Sequence, residues 1–188
     1  MRYYPVLLDL KDRPCCVVGG GPVALRKAVT LRAAGARVTV ISPALCAGLA
    51  RLAKARRLIH LARGFRTGML KGFFLAVAAT GDRRVNEAVS REAARRGMAC
   101  NVVDVPSLCS FIVPSVIAKG GLILSISTGG AAPCLARRMR LDLEKRFIPG
   151  YARALKAVAA ERCRLKEREP DIAERKRSLA RFLKRSPR

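Results

Sequence analysis

The chain has 188 residues, 51% of them hydrophobic and 27% charged, enough to fill one core with residues left for a small accessory domain. That composition excludes a disordered chain. The formal net charge is +25, and no carboxylate stands between Arg13 and Gly81. So basic a surface concentrates anions, whether nucleic acid, acidic membrane or a polycarboxylate, and charge alone does not separate these from a plain solvated face.

Met1 to Pro5 leads into a short apolar run broken by Asp9 and Lys11, which is not the pattern of a secretory signal. No apolar run approaches the ~20 residues that span a bilayer. The longest candidate, Leu108 to Ala118, contains two serines and Pro114. A cytoplasmic protein with no membrane partner is expected. The seven cysteines form no CxxC pair and no Cys/His cluster of zinc spacing, so no metal site is expected. The single histidine, His60, reads as a strand residue. Few aromatic residues and no RNP-like or finger motif argue against a specific nucleic-acid partner.

In chain order, Cys15 to Val18 is a buried strand followed by Gly19-Gly20-Gly21. A helical pattern runs from Pro22 to Ala34 and closes at Gly35. Val38 to Ile41 is the next strand, Leu45 to Ala55 a helix, Leu58 to Leu61 a strand and Phe73 to Ala79 another. Val85 to Arg96 is helical up to Gly97, and Met98 to Val103 is again a strand. Repeated βαβ units of this kind imply a parallel sheet with helices on both faces. After Pro114 the spacing predicts a strand over Leu122 to Ser127 and a turn at Thr128 to Gly130. A helix follows from Pro133 to about Phe147, with a break at Pro149-Gly150. A basic helix from Tyr151 to Glu169 is stopped by Pro170. Asp171-Ile172-Ala173-Glu174 then resembles a capping box, opening a last helix to about Lys184.

Gly19-x-Gly21-x-x-Ala24 follows an apolar strand and opens a helix, which is the context a dinucleotide fingerprint requires. The first glycine permits the tight turn, the second lets the backbone approach a pyrophosphate, and small Ala24 lets helix and strand pack closely. Pro22 suits the first helical position, and Val23 follows it. The helix N-terminus then offers free N–H groups to phosphate. The acidic residue that usually grips the adenosine ribose is absent, and the second strand ends in Ser42-Pro43-Ala44. Serine can bond a ribose hydroxyl but cannot repel a 2′-phosphate, which leaves NAD and NADP both open.

Two further strand ends fall where a Rossmann-type sheet binds ligands. Thr80 is placed to line the nicotinamide side, and Asn101-Val102-Val103-Asp104 brings a carboxylate to the sheet's carboxyl edge. Asp104 reads either as a proton acceptor there or as a turn residue ahead of Pro106.

Taken together, Tyr4-Pro5, Val18-Gly19-Gly20-Gly21-x-Val23-Ala24-x-Arg26-Lys27, Ala78-Ala79-Thr80, Asn101 to Asp104, Phe111-Ile112-x-Pro114 and Ser127-Thr128-Gly129-Gly130-x-x-Pro133-x-Leu135-Ala136-Arg137 resemble the siroheme synthase N-terminal family over about residues 3–148. The Leu165 to Asp171 segment resembles that family's small helical domain. The resemblance implies a precorrin-2 dehydrogenase that makes sirohydrochlorin with NAD, and in many members Fe2+ is a further substrate, inserted by ferrochelatase activity. It places the essential carboxylate on Asp104 and cofactor contacts on Gly19, Gly20, Gly21, Pro22, Val23, Pro43 and Ala44, alongside Ser42 and Thr80. Substrate contacts are expected at Asn101, Ser127, Thr128, Gly129, Gly130 and Arg137. The Thr128-Gly129-Gly130 turn would suit a propionate or acetate, or is a simple helix start; Arg137 would pair with a substrate carboxylate or is solvated surface.

The domains implied are an NAD-binding domain at 1–113, a dimerisation region at 114–149 and a small helical domain at 150–188. The expected partners are a tetrapyrrole substrate, a second copy in a homodimer, and a separate uroporphyrinogen-III methyltransferase upstream. The alternative class is an NAD-sensing regulatory module without catalysis, for which Asp104 would be dispensable.

Overall fold

A computed structural model describes residues 2–146 and 148–185. The chain divides into two compact units, Met1–Val113 and Pro114–Arg188. No described helix is long and apolar enough to cross a membrane.

The first unit is built from β1 (Pro14–Val18), α1 (Pro22–Ala33), β2 (Arg37–Ile41), α2 (Ala47–Lys54), β3 (Ile59–Leu61), β4 (Leu75–Ala78), α3 (Arg83–Arg95) and β5 (Ala99–Val102). A short 3-10 turn, Pro106–Leu108, follows. The five strands are parallel in the order β3-β2-β1-β4-β5. The order reverses direction between β1 and β4, and that switch point opens a crevice at the strands' carboxyl ends.

The two-residue strand period sorts the core into two faces. Cys15, Val17, Val38, Val40, Leu75 and Val77 pack with Ala24 and Ala28 of α1 and Leu49 of α2. Cys16, Val18, Ile41, Ala76, Ala78, Cys100 and Val102 pack with Val89 and Ala93 of α3. Burial pushes the thiols of Cys15 and Cys100 up to about 11 and that of Cys16 up to about 12, so at neutral pH they act as small apolar core groups. His60 lies in β3, where Nε2 meets the Ser42 carbonyl oxygen at 2.9 Å.

Several element ends differ from expectation for identifiable reasons. The α2 helix begins at Ala47 rather than Leu45, because Cys46 stays extended and its N–H goes to the Gly20 carbonyl at 2.7 Å. The α3 helix begins two residues early. Asp82 caps it, accepting from the N–H groups of Arg84 at 2.8 Å and Val85 at 3.3 Å.

A buried acid ties α3 to the loop before β4. Glu92 is 2% exposed and accepts N–H bonds from Gly68 at 2.9 Å and Leu70 at 3.1 Å, with Arg96 Nε at 2.9 Å. Burial alone would raise its pKa, but the Gly68 bond, the Arg96 bond and the Leu70 bond outweigh it and hold the carboxyl below the usual glutamate range.

The second unit begins with an antiparallel hairpin, β6 (Ser115–Lys119) and β7 (Leu122–Ile126). The first of these strands was not expected. Its signal is the turn, since Gly120 and Gly121 both have positive φ, +58° and +85°, as a two-residue hairpin loop demands. Three helices follow: α4 (Pro133–Arg146), α5 (Ile148–Arg168) and α6 (Ile172–Arg185). The expected end of α4 at Phe147 lies outside the described residues. The expected break at Pro149-Gly150 is overturned, because both residues fall in the first turn of α5, where a proline's missing N–H costs nothing. The capping box before α6 forms only in part. Asp171 Oδ1 accepts from Ala173 N–H at 2.9 Å, but the Asp171 N–H goes to Glu169 at 3.1 Å, while Glu174 pairs with Arg177 and Arg181.

Replacing Glu92 by Ala is expected to destabilise the first unit by roughly 2–4 kcal/mol, since two backbone donors and a guanidinium lose their acceptor. Because the folded-state pKa is lowered, the carboxylate's contribution is complete above the ordinary glutamate value of ~4.3 and is lost as pH falls through the folded value. Urea titrations at pH 7 and below ~4 check both points: the gap between wild type and Glu92→Ala should narrow in acid.

Candidate active site

The β1–α1 loop is shaped by two carbonyl groups of neighbouring loops. Gly19 has φ +127°, and a side chain there would run into the Ala79 carbonyl at the end of β4. A side chain on Gly20 would run into the Ala44 carbonyl and the Ser42 hydroxyl. Gly21, the N-cap of α1, has nothing within 4 Å of where its Cβ would be. Two glycines therefore pack backbone on backbone, while the third faces open space.

That arrangement suits a dinucleotide. The α1 N-terminus has Pro22 in its first turn, no side-chain cap and no acidic residue, so its free N–H groups and positive dipole end are available to a phosphate. Gly19, Gly20, Gly21, Pro22 and Val23 fit the pyrophosphate, with Ser42, Pro43 and Ala44 on the adjoining loop. Ser42 is buried, and its hydroxyl donates to the Ala44 carbonyl at 2.7 Å. It braces the loop that limits Gly20, so its proton is already spent there rather than free for a ribose.

Thr80 follows β4 and is half-buried. Its hydroxyl contacts Asn86 Oδ1 at 2.8 Å and the Asp82 carbonyl at 3.0 Å, while Asn86 Nδ2 donates to the Thr80 carbonyl at 3.0 Å. Asn86, 6% exposed, thus fixes the strand end from α3.

Beyond β5 the chain turns sharply. The Val105 N–H reaches the Val102 carbonyl at 3.4 Å, and Asp104, exposed, has φ +60°. This is the third position of a four-residue turn, where positive φ ordinarily selects glycine. Among the described residues the other non-glycine positive φ values belong to Asp12 and Arg56, both in turns that precede a strand. Asp104 therefore is a turn residue, and it also stands at the carboxyl edge.

Cys109 holds this turn from beneath. Its Sγ accepts from the Val102 N–H at 3.2 Å and can donate to the carbonyl of Val102 at 3.2 Å or of Val105 at 3.4 Å. Asn101, 7% exposed, shares the sheet face of Ala99 and Val103, the α1 side. Its Nδ2 donates to the Phe111 carbonyl at 3.1 Å, and its Oδ1 accepts from Lys27 Nζ at 3.5 Å. Burial first, and then Arg26, lowers the Lys27 pKa, with Cys109 and Asp104 acting in the opposite direction.

The remaining expected substrate residues lie in the second unit, between β7 and α4. Ser127 Oγ accepts from the Gly129 N–H at 3.1 Å, Thr128 Oγ1 from the Ala132 N–H at 3.0 Å, and the Thr128 carbonyl from the Ala131 N–H at 3.2 Å. Gly129 and Gly130 have positive φ, +65° and +92°. This turn starts a helix by satisfying most of its own donors. Arg137 is exposed on α4.

A family model described as "Putative NAD(P)-binding" matches residues 6–115. The chain belongs to this NAD(P)-binding family. Among similar proteins, the siroheme synthase of Thioalkalivibrio sulfidiphilus is 47% identical over 184 residues, which covers 97% of this chain and 37% of that protein. The siroheme synthase of Methylobacillus flagellatus is 48% identical over 161 residues, 86% of this chain and 34% of its own length. The chain thus spans about a third of the curated relatives it matches. Among solved structures, that of SirC, precorrin-2 dehydrogenase, matches with a TM-score of 0.83 and 27% identity, covering 96% of this chain and 89% of its own. The Rossmann-type architecture with added C-terminal helices is therefore shared.

Three side chains that shape this family member's site were given no role from the sequence, although Lys27 stands in the glycine-loop motif. Asn86 is a polar residue in the buried stripe that Val89 and Ala93 continue, a readable signal. Lys27 lies three residues beyond buried Ala24 on the same side of α1, also readable. Nothing local marks Cys109, whose role depends on a turn formed by residues before it.

Two loop variants separate packing from ligand contact. Gly20→Ala is expected to destabilise the fold by about 1–3 kcal/mol through the clash with Ala44. Gly21→Ala is expected to keep its stability and lose dinucleotide affinity by tenfold or more, because the space its Cβ enters is where phosphate would lie. Thermal unfolding and calorimetric titration with NAD+ measure the two effects.

Proposed function

We propose that this chain oxidises precorrin-2 to sirohydrochlorin with NAD+ as the acceptor, in siroheme biosynthesis. One observation carries the reading: a glycine loop fit for a pyrophosphate and an exposed carboxylate, Asp104, reach the same carboxyl edge of one sheet. The carboxylate sits in a backbone conformation that costs a non-glycine residue on the order of 1–3 kcal/mol, and such strain gathers at functional sites. The names of the relatives and of the structural neighbour support the same reaction class.

Dehydrogenation removes a hydride and a proton from the macrocycle. When bound, the nicotinamide supplies the hydride acceptor. Asp104 accepts the proton as general base, and its exposed position at the strand end gives it access to a large planar substrate. The glycine loop and the α1 N-terminus hold the pyrophosphate, and the Thr80–Asn86 pair keeps the β4 end rigid. Asn101 serves the substrate's polar rim from the β5 end. Within the second unit, the exposed guanidinium of Arg137 and the Ser127 to Gly130 turn offer polar contacts of their own.

Residues 114–149 are assigned to self-association, and residues 150–188 to a small helical domain. The hairpin supports the former. Ile117 on one face is 4% exposed, whereas Val116 and Ile123 on the other are 43% and 51% exposed, an apolar strip awaiting cover. Ile123→Asp is expected to convert a dimer into monomers in sedimentation analysis without altering the circular-dichroism spectrum; a wild-type monomer would remove this assignment.

The decisive assay supplies precorrin-2 and NAD+ and follows NADH together with the product spectrum. Asp104→Asn is expected to lower turnover by about 10²–10⁴-fold with NAD+ affinity unchanged. Asp104→Gly should be equally inactive yet at least as stable as wild type, since glycine relieves the positive φ. Full turnover in Asp104→Asn would remove Asp104 as the base, whereas NAD+ binding without any turnover by wild type would leave a dinucleotide-sensing module instead. Anaerobic addition of Fe2+ after oxidation then reports whether iron insertion accompanies the dehydrogenation.

A further inference from the structure

Lys27 is a half-buried cation without a counter-ion. Among the described residues no carboxylate lies within ion-pairing distance of it. Its hydrogen bond is to a neutral acceptor, Asn101 Oδ1, at the long distance of 3.5 Å. An ammonium has three donors, so most of its hydrogen-bonding capacity remains unused by protein. Partial burial strips water from the charge, and its lowered pKa reflects that cost, with Arg26 adding to it. Buried charges are ordinarily paired, and a cation left unpaired at a ligand-binding edge gains most from an anion brought by the ligand.

Position tells which anion. Lys27 stands beyond the first turn of α1, past the N–H groups at Val23 and Ala24 that a pyrophosphate would use. It reaches across the sheet to Asn101 on β5, the strand that leads directly into Asp104. Asp104 is near enough to act on its charge. The cation is therefore on the proton-acceptor side of the crevice. Cys109 links the two, since it holds the Asp104 turn and lies 3.6 Å from Asn101 Nδ2.

The geometry points to Lys27 as the anchor for a peripheral carboxylate of the tetrapyrrole, with Asn101 orienting the ammonium toward the edge where Asp104 stands. This rests on the dehydrogenase reading. It gives Lys27 a substrate-binding and specificity-determining role rather than a part in proton transfer. The anchored carboxylate would fix how the ring lies against the edge, and hence which bridge carbon faces the base.

The test uses the full chain with Lys27→Met, Lys27→Gln and Lys27→Arg. For Met and Gln the KM for precorrin-2 should rise roughly tenfold or more, with kcat changed less than about threefold, and Arg should recover most of the loss. Sirohydrochlorin binding, followed by its absorbance without turnover, should weaken by the same factor, while the Kd for NAD+ stays at the wild-type value and certifies the fold. An unchanged sirohydrochlorin Kd in both neutral variants that still bind NAD+ would overturn the anchor. So would a weakened NAD+ Kd in both, which would make the anion a cofactor phosphate or the role structural. If wild type binds sirohydrochlorin through Lys27 but makes no NADH from precorrin-2, the dehydrogenase reading fails while the carboxylate anchor stands.

Discussion

The close approach of three loops at the sheet's switch point governs the rest of the first unit. Gly19 lies against the Ala79 carbonyl and Gly20 against the Ala44 carbonyl, so the β1–α1 loop touches the loops that follow β4 and β2 on either side. Only backbone without Cβ fits in that space. The contact is held by the Gly19 N–H to the Ile41 carbonyl at 2.9 Å and the Cys46 N–H to the Gly20 carbonyl at 2.7 Å. Ser42 and His60 brace the outer side. With this edge drawn tight, the α1 N-terminus points into the crevice, and Gly21 is left facing space that protein does not fill.

Across the crevice the same edge is organised by different physics. Packing fixes the glycine loop, whereas polar contacts fix the β5 end. Cys109 bonds both ends of the turn that carries Asp104, Asn101 bonds Phe111, and Ser110 bonds Cys100 through its N–H at 2.9 Å. The returning segment thereby covers the outer edge of β5, which would otherwise offer unpaired backbone groups. The turn's strain is met by these contacts. A carboxylate held in a glycine-like conformation is a cost to stability that the β5 end carries for the sake of position.

Electrostatics run through both halves in opposite senses. The chain is strongly cationic, yet its one deeply buried acid, among the described residues, is structural: Glu92 ties α3 to the Gly68–Leu70 loop. Elsewhere, among the described residues, five carboxylates on helices pair with arginines three or four residues away, as Glu87 does with Arg83 and Glu144 with Arg140, contacts worth about a few tenths of a kcal/mol each. Near the β5 end the half-buried Lys27 feels the charge of exposed Arg26 and, in the opposite sense, that of Asp104. A polyanionic substrate matches that field, and its carboxylates would be steered toward the edge before any specific contact forms.

Element order, the parallel sheet and the glycine fingerprint were legible in the sequence because they are local. A two-residue period, a glycine triplet after an apolar strand and a small residue three positions beyond Gly21 each carry their meaning in a window of a few residues. The same locality explains the misreadings. Pro149-Gly150 looked like a break because a proline inside a helix and one in its first turn have the same local composition, and the β6 strand hid in a short run whose partner was needed to define it. What only the tertiary structure decided is which polar groups meet, near or far along the chain. The Ser42 hydroxyl is spent on Ala44, Thr80 is held by Asn86, Cys109 props the Asp104 turn, and Lys27 meets Asn101 across 74 residues of chain. Whether a polar group is free for a ligand depends on which neighbour folding turns toward it, and side-chain partners chosen by backbone geometry leave no period to read.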